Sequence, residues 1–140
     1  MAIDEEQYEV LCERIRAVNK PLLQLFEEEL NDNFLSQKTI ENHISNIDFY
    51  INNFLLHFEP RPMEEGYFTL EEFFQFFVHK CMWSTPSSVR SMGASLKKFY
   101  KCMLENEKIK KESYDFFIAE IKENISDWAE ECDDWNDGIY

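Results

Sequence analysis

Arg90, Lys97 and Lys101 are spaced seven and four residues apart. At 100° per residue those steps return to nearly the same azimuth, so on a helix the three cations fall within about 20° of one line. Lys98 stands to one side of that line, and Lys108 extends it if the helix runs so far. Gly93 and Ala94 flank it between the first two cations and keep bulk low. Long cationic side chains over small residues suit a polyanion: each charged head can replace a counterion at a phosphate, and nothing holds the strand away. Asn42 and Asn46, continued by Asn53, make a second polar line whose amides suit base edges. Arg90, Lys97, Lys98, Lys101, Lys108, Asn42 and Asn46 are thus the candidate DNA-binding residues. Two plainer readings stay open: an ordinary solvated lysine face, or cations that answer the chain's own carboxylates.

Other chemistry finds less material. Cys12, Cys81, Cys102 and Cys132 lie 69, 21 and 30 positions apart, which matches neither a metal-ligand nor a redox spacing. Each falls in or beside an apolar stripe, so four buried, reduced thiols are expected. His43, His57 and His79 are scattered. His79 and Cys81 alone cannot close a tetrahedral zinc site. There is no glycine-rich phosphate loop and no Gly-x-Ser-x-Gly, and the run Glu27-Glu28-Glu29 belongs to a solvated helix face. No enzyme, cofactor or metal is expected.

The charge is unevenly distributed. The 140 residues hold 14 Lys+Arg and 28 Asp+Glu, a net of −14. Residues 1–79 carry 5 basic and 16 acidic groups, residues 80–111 carry 8 and 2, and residues 112–140 carry 1 and 10. A basic segment therefore lies between two acidic ones, and the candidate line falls inside it. The whole-chain charge opposes nucleic acid and anionic membranes, and the segment favours an anionic partner. No apolar run is long enough to span a bilayer. The start, Met1-Ala2-Ile3-Asp4-Glu5-Glu6, lacks a basic head and an apolar stretch, so a cytoplasmic protein is expected.

The elements that must position these residues are helical. Only 3 Gly and 4 Pro occur, and apolar residues recur at helical spacing with no strand-like alternation. A first stripe runs Tyr8, Leu11, Ile15, Val18, Leu22, Leu25, and Pro21 should kink it or restart it behind an Asn19 cap. Ser36 caps a second helix carrying Ile40, Ile44, Ile47, Tyr50, Ile51, Phe54, Leu55 and Phe58. Phe49 and Leu56 lie off that stripe, which implies a second packed surface. Residues Met63 to Phe68 read as a loop. Thr69 and Glu72 read as a capping box for a short Phe-rich helix ending near Met82. Thr85-Pro86 starts the helix of the cation line, which runs to about Glu107. A last helix begins near Lys111 with the seam Tyr114, Ile118, Ile121, Ile125, Trp128, Cys132, Trp135 and an acidic outer side. Ser36 to Leu55 and Thr85 to Leu104 also echo each other at an offset of 49, as any two capped amphipathic helices can.

At two of these helices the sequence resembles a known family. Leu35-Ser36-Gln37-Lys38-Thr39-Ile40, followed by Ile44, Ile47 and Tyr50, is similar to the start of the core-binding domain of tyrosine recombinases and phage integrases. Val89-Arg90-Ser91-Met92-Gly93-Ala94-Ser95-Leu96-Lys97-Lys98-Phe99-Tyr100-Lys101, leading to Glu107-Lys108-Ile109, is similar to that domain's last helix. The resemblance covers roughly residues 20–109. It implies an all-α, SAM-like bundle in which two helical hairpins cross, and which clamps one side of duplex DNA with backbone and groove contacts. The catalytic half of such enzymes has no counterpart, since no His-x-x-Arg occurs. The expectation is an all-α single domain of five or six helices, with an N-terminal extension over 1–19, a core-binding-like bundle over 20–109 and an acidic helix over 111–135. Its function would be non-catalytic DNA binding. The alternative is an acidic module that meets a basic or helical protein partner, either by imitating the charge of DNA or through the Tyr114-to-Trp135 seam.

Overall fold

A computed structural model describes residues 4–57, 59–81 and 83–138. Phe58, Met82 and residues 1–3, which entered the reading above, lie outside them. The described residues are all-helical: α1 (Glu5–Asp32), α2 (Gln37–Phe49), a π-helical segment (Tyr50–Phe54), the single turn α3 (Leu55–His57), a 3-10 helix (Met63–Phe68), α4 (Leu70–Lys80), α5 (Pro86–Glu105) and α6 (Lys111–Asn136). They form two compact units, Met1–Gly66 and Tyr67–Tyr140.

In the first unit, α1 begins with a capping box: Asp4 accepts from the Gln7 backbone N–H at 2.8 Å and the Gln7 side chain accepts from the Asp4 N–H. The helix then passes through Pro21 without a break, contrary to the expected restart. Proline removes only its own N–H bond, and the carbonyl it leaves unpaired, Ala17, sits on an exposed face where water can satisfy it. Asn19 is not a cap. It is 1% exposed, and its amide donates to the Ile51 carbonyl at 3.3 Å and to Asn52 Oδ1 at 2.8 Å. Tertiary hydrogen bonds thus hold the helix just before the proline, and the buried side chains of Leu22 and Phe26 anchor it just after.

Those bonds depend on the π-helical segment. A wider turn shifts the backbone register by one residue and releases carbonyls from the i→i−4 ladder. The Ile51 carbonyl takes the Asn19 amide, and the Asn52 carbonyl takes the Arg16 guanidinium at 3.2 Å. The same shift turns the following residues, so Leu56 packs with Cys12, Ile15 and Tyr8 as a small second cluster. This is the second packed surface expected from Leu56. The Tyr8 hydroxyl donates to the Leu56 carbonyl and closes it. The main core joins Leu22, Phe26 and Leu30 of α1 to Ile40 and Ile47 of α2 and to Tyr50, Ile51 and Leu55.

In the second unit, α4 and α5 both pack on α6. Thr69 precedes α4 but makes no side-chain cap, so the expected capping box is absent; its φ of −117° and ψ of 11° depart from the extended backbone that an N-cap residue adopts. Met63–Phe68, expected as a loop, is a 3-10 helix. Phe73, Phe74 and Phe77 are fully buried, and Phe74 stacks on Trp128 at 4.2 Å between ring centroids. The Trp128 indole N–H donates to Glu71 at 3.1 Å, so a ring stack and a charge-assisted bond tie α6 to α4. Tyr100 of α5 packs on Phe117 of α6 at 4.1 Å. Ile121, Trp128 and Cys132 of the expected α6 seam are buried, with Phe117 beside them; Tyr114, Ile118 and Ile125 are half-buried, and Trp135 at the far end is 42% exposed. All four cysteines are buried and none is in a disulfide, as their stripe positions imply.

Candidate nucleic-acid interface

The candidate cations are set by how α5 starts, packs and stops. Thr85 accepts from the Ser88 N–H at 3.0 Å, Ser88 accepts from the Thr85 N–H at 2.7 Å, and Pro86 takes the first helical position. Val89, Met92, Leu96, Phe99 and Met103 are buried completely, which fixes the rotation of the helix about its axis. Arg90, Lys98 and Lys101 consequently face solvent, with Ser87 and Ser91, while Lys97 and Ala94 are half-buried.

The electrostatic finding concerns what the cations do not touch. Among the described residues, none of Arg90, Lys97, Lys98, Lys101 and Lys108 makes an ion pair or hydrogen bond with a side chain of the protein. Glu105 stands four residues after Lys101, where an i,i+4 pair is possible, and the two do not pair. Ion pairs lie elsewhere: Lys111 with Asp115 at 2.9 Å, and Arg61 with Glu59 at 3.8 Å and Glu65 at 4.0 Å. The Asp115 carboxylate raises the Lys111 pKa, mainly by accepting its hydrogen bond and then by its charge. The open reading in which the candidate cations answer the chain's own acids is not realised.

Two details differ from expectation. Gly93 is buried and serves packing, not strand approach: a Cβ placed there would lie 2.7 Å from Ile125 Cδ1 and 3.6 Å from Ile121 Cγ2. The smallness lets α6 come close. Lys108 does not extend the line, because α5 ends at Glu105. Glu107 turns left-handed at φ 58°, its N–H bonds to the Leu104 carbonyl at 3.1 Å, and the Lys108 N–H bonds back to Met103 at 2.8 Å. This is a Schellman stop with Glu where Gly is usual. Asn42 and Asn46 lie on α2, in the other compact unit; Asn42 is exposed and Asn46 is half-buried. The site is therefore described by Arg90, Lys97, Lys98 and Lys101.

Two features went unread in the sequence. Trp83, in the turn before α5, is 58% exposed although it makes an edge contact with Phe77 at 4.9 Å. Between α4 and α6, Glu71, Gln75, Asn124, Asp127, Trp128, Glu130, Glu131 and Asp134 line an open groove of about 370 Å³. Gln75 donates to Glu131 at 2.9 Å, and His79 lies 3.4 Å from the same carboxylate and edge-on to Trp135. The i,i+4 series Glu71, Gln75, His79 carried the signal, but only the packing of α6 makes it a groove. No group of three or more His, Cys, Asp or Glu is placed to hold a metal among the described residues. No described helix is long and apolar enough to cross a membrane.

No protein-family model, curated protein or solved structure matches the chain.

Proposed function

We propose that the chain is a non-catalytic binding module that holds a nucleic-acid backbone on the exposed face of α5, in the manner of the integrase core-binding domain that residues 35–50 and 89–109 resemble. A SAM-like arrangement over residues 20–109 is part of the same proposal. The observation that carries it is the unpaired state of Arg90, Lys97, Lys98 and Lys101 in a chain with twice as many acids as bases. A cation with no internal partner has no ion pair to break when it turns to a phosphate. The net charge of −14 works against approach. At physiological salt, exposed charges beyond about 8 Å are largely screened, so the local strip governs what binds at its surface.

The test is a titration of labelled duplex DNA at several salt concentrations. Four phosphate contacts give a log–log slope of roughly −3 to −4. The pair Lys97→Glu and Lys101→Glu should weaken binding to every sequence alike and flatten the slope by about 2. Binding indifferent to that pair of changes removes the proposal. The α4–α6 groove favours a second reading, an acidic surface for a basic protein segment, because five carboxylates line it. That reading expects an Arg-rich peptide to bind and the Lys97→Glu, Lys101→Glu variant to bind it no less well.

A further inference from the structure

Trp83 adds something that a phosphate track does not need. The turn that carries it is pinned. The Ser84 N–H bonds to the Cys81 carbonyl at 3.1 Å, the Ser84 carbonyl accepts from Asn136 at 2.9 Å, and Cys132 Sγ donates to Ser84 Oγ at 3.7 Å. Ser84 itself is 2% exposed. The neighbouring indole is nonetheless left largely in water, held by its contact with Phe77. Trp128, stacked on Phe74 in the same unit, is by comparison 3% exposed. A large apolar ring on an immobilised turn loses little conformational entropy when it meets a flat partner.

Its position selects the partner. Trp83 precedes the first residue of α5 by three, and Arg90 follows that residue by about 6 Å of helix rise. Lys97 and Lys101 continue along the helix. A largely exposed indole that precedes a row of cations in the chain is a pairing that suits single-stranded nucleic acid, with stacking for a base and charge for the phosphates that follow. A closed duplex hides its base faces in its own stack and leaves the ring nothing to cover.

We infer that the α5 surface takes a single strand, or the unpaired end of one, with one base stacked on Trp83 and the following phosphates on Arg90, Lys97 and Lys101. This rests on the backbone-binding reading above and names its substrate class.

The experiment compares full-length protein against one mixed-sequence 20-nucleotide probe as single-stranded DNA, as RNA and as duplex DNA, by fluorescence anisotropy. Wild type should prefer the single strands. Trp83→Ala should lose roughly tenfold on them and little on duplex, and Trp83→Phe, which keeps a ring, should recover most of the loss. Thermal melts of both variants check that they fold; the exposure of Trp83 leaves the core intact. If DNA single strands respond and RNA does not, the sugar is also read, and the stacking stands. If duplex binds as well as single strands, or Trp83→Ala affects both alike or neither, the inference is overturned. In that case the Lys97→Glu, Lys101→Glu pair still decides the backbone reading. If wild type binds no probe, both readings fall.

Discussion

Gly93 and Ile125 define how closely α5 and α6 approach: a methyl group at Gly93 would stand 2.7 Å from Ile125 Cδ1 and 3.3 Å from Cγ1. Glycine inside a helix costs roughly 0.5–1 kcal/mol relative to alanine, so its presence in the middle of α5 needs a steric reason. The Ile125 side chain supplies it. Gly93→Ala should gain that propensity and lose more to overpacking, for a net destabilisation of about 1 kcal/mol. In an Ile125→Val background the crowding atom is gone, and the same substitution should become neutral or stabilising. Urea unfolding of the four proteins gives the coupling, expected at about 1 kcal/mol or more. Additive effects would show that the helices do not meet there.

Glu107 closes α5 in a left-handed conformation that favours glycine. Glu107→Gly should therefore raise stability by about 0.5–1 kcal/mol, seen as a higher thermal midpoint. Phe34, at φ 59° after α1, should respond in the same way to Phe34→Gly, and it loses little by truncation because it is 94% exposed.

Asn19→Ala should cost about 1–3 kcal/mol, because it leaves the buried carbonyl of Ile51 without its side-chain donor and opens a space beside it. Pro21→Ala, two residues on, should cost no stability and should raise it, since alanine restores the helix bond to the Ala17 carbonyl at an exposed position. Chemical denaturation of the two variants should separate them clearly. A larger loss from Pro21→Ala would contradict the role given to Asn19.

Because the cations of α5 make no internal ion pairs, reversing them should leave folding nearly untouched. Lys97→Glu, Lys101→Glu should shift the unfolding free energy by no more than about 0.5 kcal/mol while it alters binding. A large loss of stability would mean that these groups are engaged within the protein after all.

Burial pushes the Cys81 thiol above its ordinary range. The folded protein then holds the proton more tightly than the unfolded chain does. The stabilisation is complete below the unfolded thiol pKa, about 8.5, and is lost as pH rises through the folded value. The denaturation midpoint should fall in mildly alkaline buffer, and Cys81→Ala should remove part of that fall. An identical pH profile for the variant would assign the loss to other groups.

Much of the fold was legible because local patterns report local physics. The caps at Ser36 and Thr85, the proline at the first position of α5 and the apolar stripes of α5 and α6 each involve residues within a turn or two of one another, and each appears where the spacing puts it. The restart expected at Pro21 failed for the opposite reason. Proline weakens one helix bond, whereas Asn19 draws on carbonyls more than thirty residues away that a π-helical turn makes available. The capping box at Thr69 failed because a favourable pair of residue types does not guarantee the backbone angles that a cap needs.

By itself, the sequence determined that the chain is helical, that a basic segment lies between acidic ones, and that Arg90, Lys97 and Lys101 share a helix face. Periodicity, capping and charge order are one-dimensional properties. Only the tertiary structure decided that those cations are unpaired, that Gly93 serves α6 and not a ligand, that Ile121, Trp128 and Cys132 of the α6 seam are core, and that Trp83 is largely exposed. Each of these depends on which distant group occupies the neighbouring space, and chain connectivity carries no record of that.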